Sequence, residues 1–202
     1  MREEMLVAMK AYVTHTLPES GAHGLDHTLR VYHLCEGIAR IEGAECAIML
    51  PAALFHDIAR PLEDERGVPH EEEGARIAEK FLKRMQYSPD LIPPIVHAIR
   101  AHRYRSAIKP ETLEAQILSD ADKLDAMGAI GIARAFMTAG ERQGDMTDAI
   151  DHMHEKLVNL KDMMYTETAR RIAKERHSFL VGYIEVLYEE MGGHTHLFSS
   201  QT

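Results

Sequence analysis

Apolar positions recur at helical spacing along almost the whole chain, and no stretch alternates as a half-buried strand would. Residues 2–16 form a first amphipathic segment, which 17-LPESGAHG-24 interrupts with proline, serine and glycine. From Leu25 to Ile41, the positions Leu25, Leu29, Val31, Leu34, Cys35, Ile38 and Ala39 keep one apolar face, and Gly43 ends the run. The next helix, over 45–59, is apolar nearly all round and so belongs at the centre of the protein, with Pro51 predicting a kink or a delayed start.

The charged stretch 60-RPLEDERGVP-69 holds two prolines and a glycine and predicts a surface loop. Helices are then expected over 70–86, 90–103, 111–138 with a break near Gly128, and 147–165. The last runs over 166–191, where Ala169, Ile172, Ala173, Leu180, Tyr183, Ile184, Leu187, Tyr188 and Met191 make one stripe, and Gly192-Gly193 supplies the stop. No internal repeat, low-complexity tract or dividing linker interrupts this pattern. The expectation is an all-α fold of about eight helices, one compact domain over 1–202.

Composition narrows the functional classes. A chain of 202 residues and 22.8 kDa can bury a full core without staples. Cys35 and Cys46 lack CxxC spacing, which leaves them as small buried hydrophobes and not a zinc or disulfide framework. The acidic, amphipathic start is no signal peptide, and no run approaches the roughly 18 apolar residues of a membrane span, so a cytoplasmic location is expected. A net charge of -9 argues against nucleic acid and anionic membranes as partners. A small anionic substrate stays compatible, because a metal or a local group of arginines can reverse the field in one pocket.

The chemistry gathers where the central apolar run ends, in 54-LFHDIARP-61. An aspartate placed against a core needs a partner, a hydrogen bond or a metal. Neighbouring side chains on a helix point about 100° apart, so His56 and Asp57 can share one ion only if other helices supply further ligands. Three stretches offer them: 23-HGLDHTLRV-31, 97-HAIRAHRYR-105 and 119-SDADKLDAMG-128. Asp122 and Asp125 share a helical face there, while Asp120 points elsewhere.

On these residues the chain resembles the HD-domain superfamily of metal-dependent phosphohydrolases, whose pattern is a histidine, an adjacent His-Asp and a distant aspartate on three helices. His27 in HTLRV, His56-Asp57 in LFHDIARP and Asp122 in LSDADKLDAMG match in order and flavour, over a motif-bearing core of 23–134. The helices over 147–191 lie outside it. The DADKLDAMGAIGIAR stretch is similar to that of small bacterial and archaeal members, some of which are thought to act on nucleotides. The resemblance implies a metal site in a core cleft of a helical bundle, held by His27, His56, Asp57 and Asp122. One ion is expected and two are possible. Two imidazoles and two carboxylates suit Mn²⁺, Fe²⁺, Mg²⁺, Co²⁺ or Ni²⁺ with positions left open for water and a phosphoryl oxygen.

Beyond those four, the resemblance places His70 and His102 among second-metal or substrate contacts, ahead of His97 and His15, although each could equally be a surface or capping histidine. It makes Lys123, with Arg30 behind it, a candidate for phosphate. His23 and Asp26 could orient the ligand or its water, although Asp26 could equally cap a helix. Arg100, Arg103 and Arg105, and Arg170, Arg171, Lys174 and Arg176, could steer a phosphate or simply form wet helix faces. Gly128 and Gly131 permit close packing and are no phosphate loop. His152, His154, His194 and His196 read as surface residues.

The leading expectation is thus hydrolysis of a nucleotide or related small phosphate ester by a metal-activated water. The alternatives are an HD-like di-iron oxygenase, for which His70 and His102 would complete the ligand set, and a non-catalytic metal-binding regulatory module. An oligomer is possible through a long amphipathic helix.

Overall fold

The computed structural model describes residues 3–18, 24–104 and 107–192, and every regular element among them is helical. In order these are α1 (Glu3–Thr16), α2 (Leu25–Glu42), α3 (Cys46–Phe55), α4 (Arg60–Arg66), α5 (His70–Arg84), α6 (Ile92–Ala101), α7 (Leu113–Asp125), α8 (Gly128–Glu141), α9 (Met146–Glu155) and α10 (Glu167–Glu190). Pro89–Leu91 and Leu157–Met163 form 3₁₀ turns. The all-α expectation holds, but ten α-helices stand among the described residues where the periodicity suggests about eight.

One of the extra helices is α4, in the stretch expected to be a loop. Pro61 lies in its first turn, where a missing N–H costs nothing and a fixed φ already suits the helix. Gly67, at φ 67°, closes it by donating its N–H to Glu63 O. The other arises from the break between α7 and α8. Gly128 takes φ 68°, and a Cβ on Gly131 would collide with the backbone of Ala126, so two glycines let α8 fold back closely on the end of α7. The expected helix over 147–165 is α-helical only to Glu155 before it tightens to 3₁₀.

The centre is α3, whose residues Met49 to Phe55 are all buried. It packs against α2, α6 and α7, with α1 and α5 outside, while α8 and α10 cover the far side of α7 and α9 packs on α8. Phe55 ends α3 fully buried, its ring 5.3 Å from Phe81 and 6.0 Å from Tyr12. Pro51 lies inside α3, which begins at Cys46 with Glu45 as its cap, so the start is not delayed. Cys46 is exposed there, against expectation, whereas Cys35 is buried.

Asp120 has a structural task. Its buried carboxylate accepts from Tyr165 N, Thr166 N and Thr166 Oγ1 at 2.9, 2.8 and 2.9 Å, anchoring the start of α10 on α7. Asp120→Ala strands these donors and is expected to lower stability by about 2–3 kcal/mol without changing affinity for divalent metal. Urea unfolding and a metal titration on one preparation check both halves; unchanged stability would contradict the anchoring role.

Candidate metal centre

The core helix stops at Phe55, and His56 and Asp57 stand in the turn between α3 and α4, with Arg60 N bonded to Asp57 O at 3.0 Å. They therefore leave the core together at the floor of a cleft. Four more helices converge there. His27 comes from the first turn of α2, Asp122 from α7, and His70 and His102 from the start of α5 and the end of α6.

Around Asp57 the donor atoms form two groups. His27 Nε2 lies 3.5 Å from Asp57 Oδ2, 3.4 Å from Asp122 Oδ1 and 3.4 Å from His56 Nε2, and His56 Nε2 lies 3.8 Å from Asp57 Oδ2. On the other side, His70 Nε2 and His102 Nε2 lie 3.4 and 3.6 Å from Asp57 Oδ1. His27, His56 and Asp57 on one side, and Asp57, His70 and His102 on the other, are each compact enough to hold one cation, with Asp57 in both and Asp122 beside His27 at the edge of the first. All four histidines and Asp57 are at most 1 % exposed. The Asp122 side chain, at 24 %, is the member that looks out into the cleft.

Each imidazole also has its Nδ1 committed outward. The acceptors are Asp125 Oδ2 for His27 at 2.7 Å, Ala53 O for His56 at 2.8 Å, Glu63 Oε2 for His70 at 2.8 Å and Ile99 O for His102 at 2.6 Å. An oxygen acceptor places the proton on Nδ1 and leaves the Nε2 lone pair of the neutral ring aimed at Asp57. His70 Nε2 is buried with no hydrogen-bond partner, a cost that a cation would remove.

The electrostatics point the same way. Burial pulls the His27 pKa down, but Asp122, Asp125 and Asp57 outweigh it and push it up to about 10. The carboxylates thus draw positive charge to the point where Nε2 meets them. Burial holds His56 and His70 at about 4, neutral and fit to donate a lone pair. Asp122 is opposed by burial but falls well below the usual carboxylate range beside His27. Two imidazoles with one or two carboxylates and an opening to solvent fit a divalent ion with free positions better than a closed structural zinc site.

The cleft above the centre has a volume of about 720 Å³. Arg60, Arg103, Lys123, Arg134, Arg142 and Lys156 line it against Glu71, Asp122 and Glu155, a local excess of cations in a chain of net charge -9. Tyr104, Leu157 and Leu160 form an apolar side. Lys156 Nζ stands 5.2 Å from the Tyr104 ring centroid.

The structure thus brings together His27, His56, Asp57, Asp122, His70 and His102. It separates others that the sequence groups with them. His97 accepts from Glu111 N away from the site, and His15 is exposed on α1. Arg30 does not line the cleft; Nε and Nη2 donate to Asp125 at 2.8 and 3.1 Å. Asp26 neither caps α2, where Gly24 takes that place, nor reaches the His27 ring; it accepts from His27 N and from Arg30 Nη1, both at 2.8 Å. Lys123 lines the cleft, but its buried ammonium turns back to donate to Ser119 O and Oγ. Arg100 pairs with Glu72 and Arg170 with Glu167, while Arg176 donates to Leu124 O. His152 is exposed, as expected, yet it stands at the cleft wall. His23, Arg105, His194 and His196 lie outside the described residues.

The sequence set Asp125 on the face of Asp122 without giving it a role, and it gave no sign of Glu63 or Arg134 as site residues. Asp122 and Asp125 do share a face of α7, but they grip opposite nitrogens of one imidazole, Nε2 and Nδ1. The spacing of three was the available signal.

Comparison with known proteins follows this geometry. The family model described as HD domain matches residues 24–127. The Bacillus subtilis protein YpgQ is 36 % identical over 184 residues, 87 % of either chain. Its crystal structure in complex with ADP matches with a TM-score of 0.78 at 33 % identity, covering 93 % of this chain and 98 % of that one. An HD-superfamily hydrolase from Bacillus thuringiensis matches with a TM-score of 0.75 at 28 % identity, over 96 % of this chain and all of that one. Ribonuclease Y of Thermoanaerobacter pseudethanolicus is 31 % identical over 106 residues, 52 % of this chain but 19 % of that protein.

Proposed function

This chain belongs to the HD-domain family, and from that premise we propose that it is a metal-dependent phosphohydrolase acting on a nucleotide or related small phosphate ester. The observation that carries the reading is the set of four buried imidazoles, each fixed at Nδ1 and turned by Nε2 toward Asp57, under a cation-lined cleft. His27, His56, Asp57 and Asp122 would hold one divalent ion, and His70 and His102 offer a second position across Asp57. A bound ion of this kind acidifies a coordinated water and polarises a phosphoryl oxygen.

The chain's own residues do the rest. Arg103, Arg134, Arg142 and Lys156 together make the cleft wall cationic, which favours an anionic group there against the field of the molecule as a whole, even with Arg134 held by Asp125 and Arg103 by Glu63 and Glu71. Tyr104, Leu157 and Leu160 offer an apolar surface to a base, and a volume of about 720 Å³ suits a nucleotide-sized ligand. That YpgQ has been crystallised with ADP supports this substrate class. Among the described residues no helix is long and apolar enough to cross a membrane.

The oxygenase alternative needs the same His70 and His102 beside Asp57, so geometry alone favours both chemistries. The hydrolase relative and the arginine-lined cleft favour phosphate. The regulatory alternative is separated by metal removal. Because α3 and its neighbours bury a large apolar core beside the site, chelator-treated protein is expected to stay helical by circular dichroism, lose all hydrolysis and regain it with Mn²⁺. Unfolding on chelation would instead mark a structural ion, since such ions contribute folding free energy directly.

A further inference from the structure

Asp57 stands between two unequal sets of donors. On one side are His27, His56 and a second carboxylate, Asp122; on the other are His70 and His102. The outward supports differ too. His56 and His102 rest alike on main-chain carbonyls three residues back, and so do not distinguish the sides. His27 rests on Asp125, whose side chain is 2 % exposed and is gripped by Arg30 from α2 and by Arg134 from α8. His70 rests on Glu63, 20 % exposed, which Arg60 and Arg103 grip at 2.8 and 3.2 Å from the cleft wall.

We propose that two divalent ions bind in order, the His27 side first, and that Asp125 and Glu63 are the positioning residues that set the two affinities separately. The proposal rests on the metal-dependent reading above. Affinity for a divalent ion grows with the number of charged ligands and the rigidity of the site, and the His27 side leads on both counts. It has a carboxylate of its own besides the shared one, and its supporting carboxylate is buried and tied to three helices, α2, α7 and α8. A carboxylate behind a ligating imidazole fixes the ring and raises its basicity, and removing such a partner typically weakens metal binding by about 10- to 100-fold. Asp125 and Glu63 back histidines on opposite sides of Asp57, so each acts directly on one ion; Glu63 reaches the shared Asp57 only through Arg60, which donates to Asp57 Oδ1 at 3.1 Å.

The test is a titration of Mn²⁺ alone into the chelator-treated full chain, followed by calorimetry and by the electron paramagnetic resonance of free Mn²⁺. Wild type is expected to bind two ions with affinities at least about tenfold apart. Glu63→Gln should weaken the second class by about 10- to 100-fold and leave the first unchanged; Asp125→Asn should weaken the first by a similar factor. Glu63 is partly exposed, so its variant carries the test even if Asp125→Asn fails to fold. One ion only, two ions of equal affinity, or a Glu63→Gln protein with both classes unchanged or equally weakened would overturn the proposal and leave the metal-dependent reading standing. A wild-type chain that binds no Mn²⁺ would remove both.

Discussion

Asp57→Ala is expected to yield a folded protein that neither retains Mn²⁺ nor hydrolyses phosphate esters. Among the described residues, Asp57 faces the Nε2 atoms of all four histidines, at 3.4 to 3.8 Å. Losing it takes a ligand from both cation positions at once. Removing a mere supporting partner costs about 10- to 100-fold in affinity or activity, so loss of the shared ligand should exceed the upper figure. The fold should persist, because Asp57 lies in a turn after the core helix and not among the apolar side chains that hold the helices together. Calorimetry with Mn²⁺, beside a thermal melt, reads both halves. A variant that melts like wild type and still binds two ions would refute the placement of the centre.

Phe55→Ala acts on the same site through the core. Phe55 is fully buried, closes α3 and lies against Phe81 and Tyr12 directly before His56. Truncating a buried phenylalanine leaves a cavity that neighbours fill only in part, at a cost of about 3–5 kcal/mol. For a chain of this size each kcal/mol shifts Tm by about 2–4 °C, so a fall of roughly 6–20 °C is expected in a calorimetric scan. Mn²⁺ binding should weaken too, since the turn carrying His56 and Asp57 loses its anchor. A shift below about 2 °C would mean that the end of α3 is not what positions the turn.

Much of this was legible in the chain itself. The uninterrupted apolar character of LPAALF marked the central helix, and His-Asp at its end marked a polar demand beside the core. His27 and Asp122 followed from motif order, while His70 and His102 were offered by the family resemblance as site residues or ordinary surface histidines; in the structure the three histidines face Asp57 and Asp122 meets His27. What periodicity could not give was the identity of the supporting groups. Asp125 and Glu63 look like ordinary helical acids, and only tertiary packing turns one toward His27 and the other toward His70. Arg30 was misjudged for the same reason: a cation near a candidate phosphate site was already claimed by Asp125. Pro61 misled because a proline reads as a breaker in sequence but initiates α4 when it falls in the first turn. The sequence put a break near Gly128, and the structure splits α7 from α8 there, with Gly128 in the left-handed φ that favours glycine.

If the imidazole cluster serves phosphate hydrolysis, a nucleotide assay will report it. A panel of nucleoside mono-, di- and triphosphates is incubated with the wild-type chain and Mn²⁺, with phosphate and pyrophosphate detected separately and Asp57→Ala run beside it. Wild type is expected to release one of these products, with release abolished by chelation and absent from Asp57→Ala. Equal release by both proteins, or no release by wild type while iron-loaded protein consumes oxygen, would contradict it.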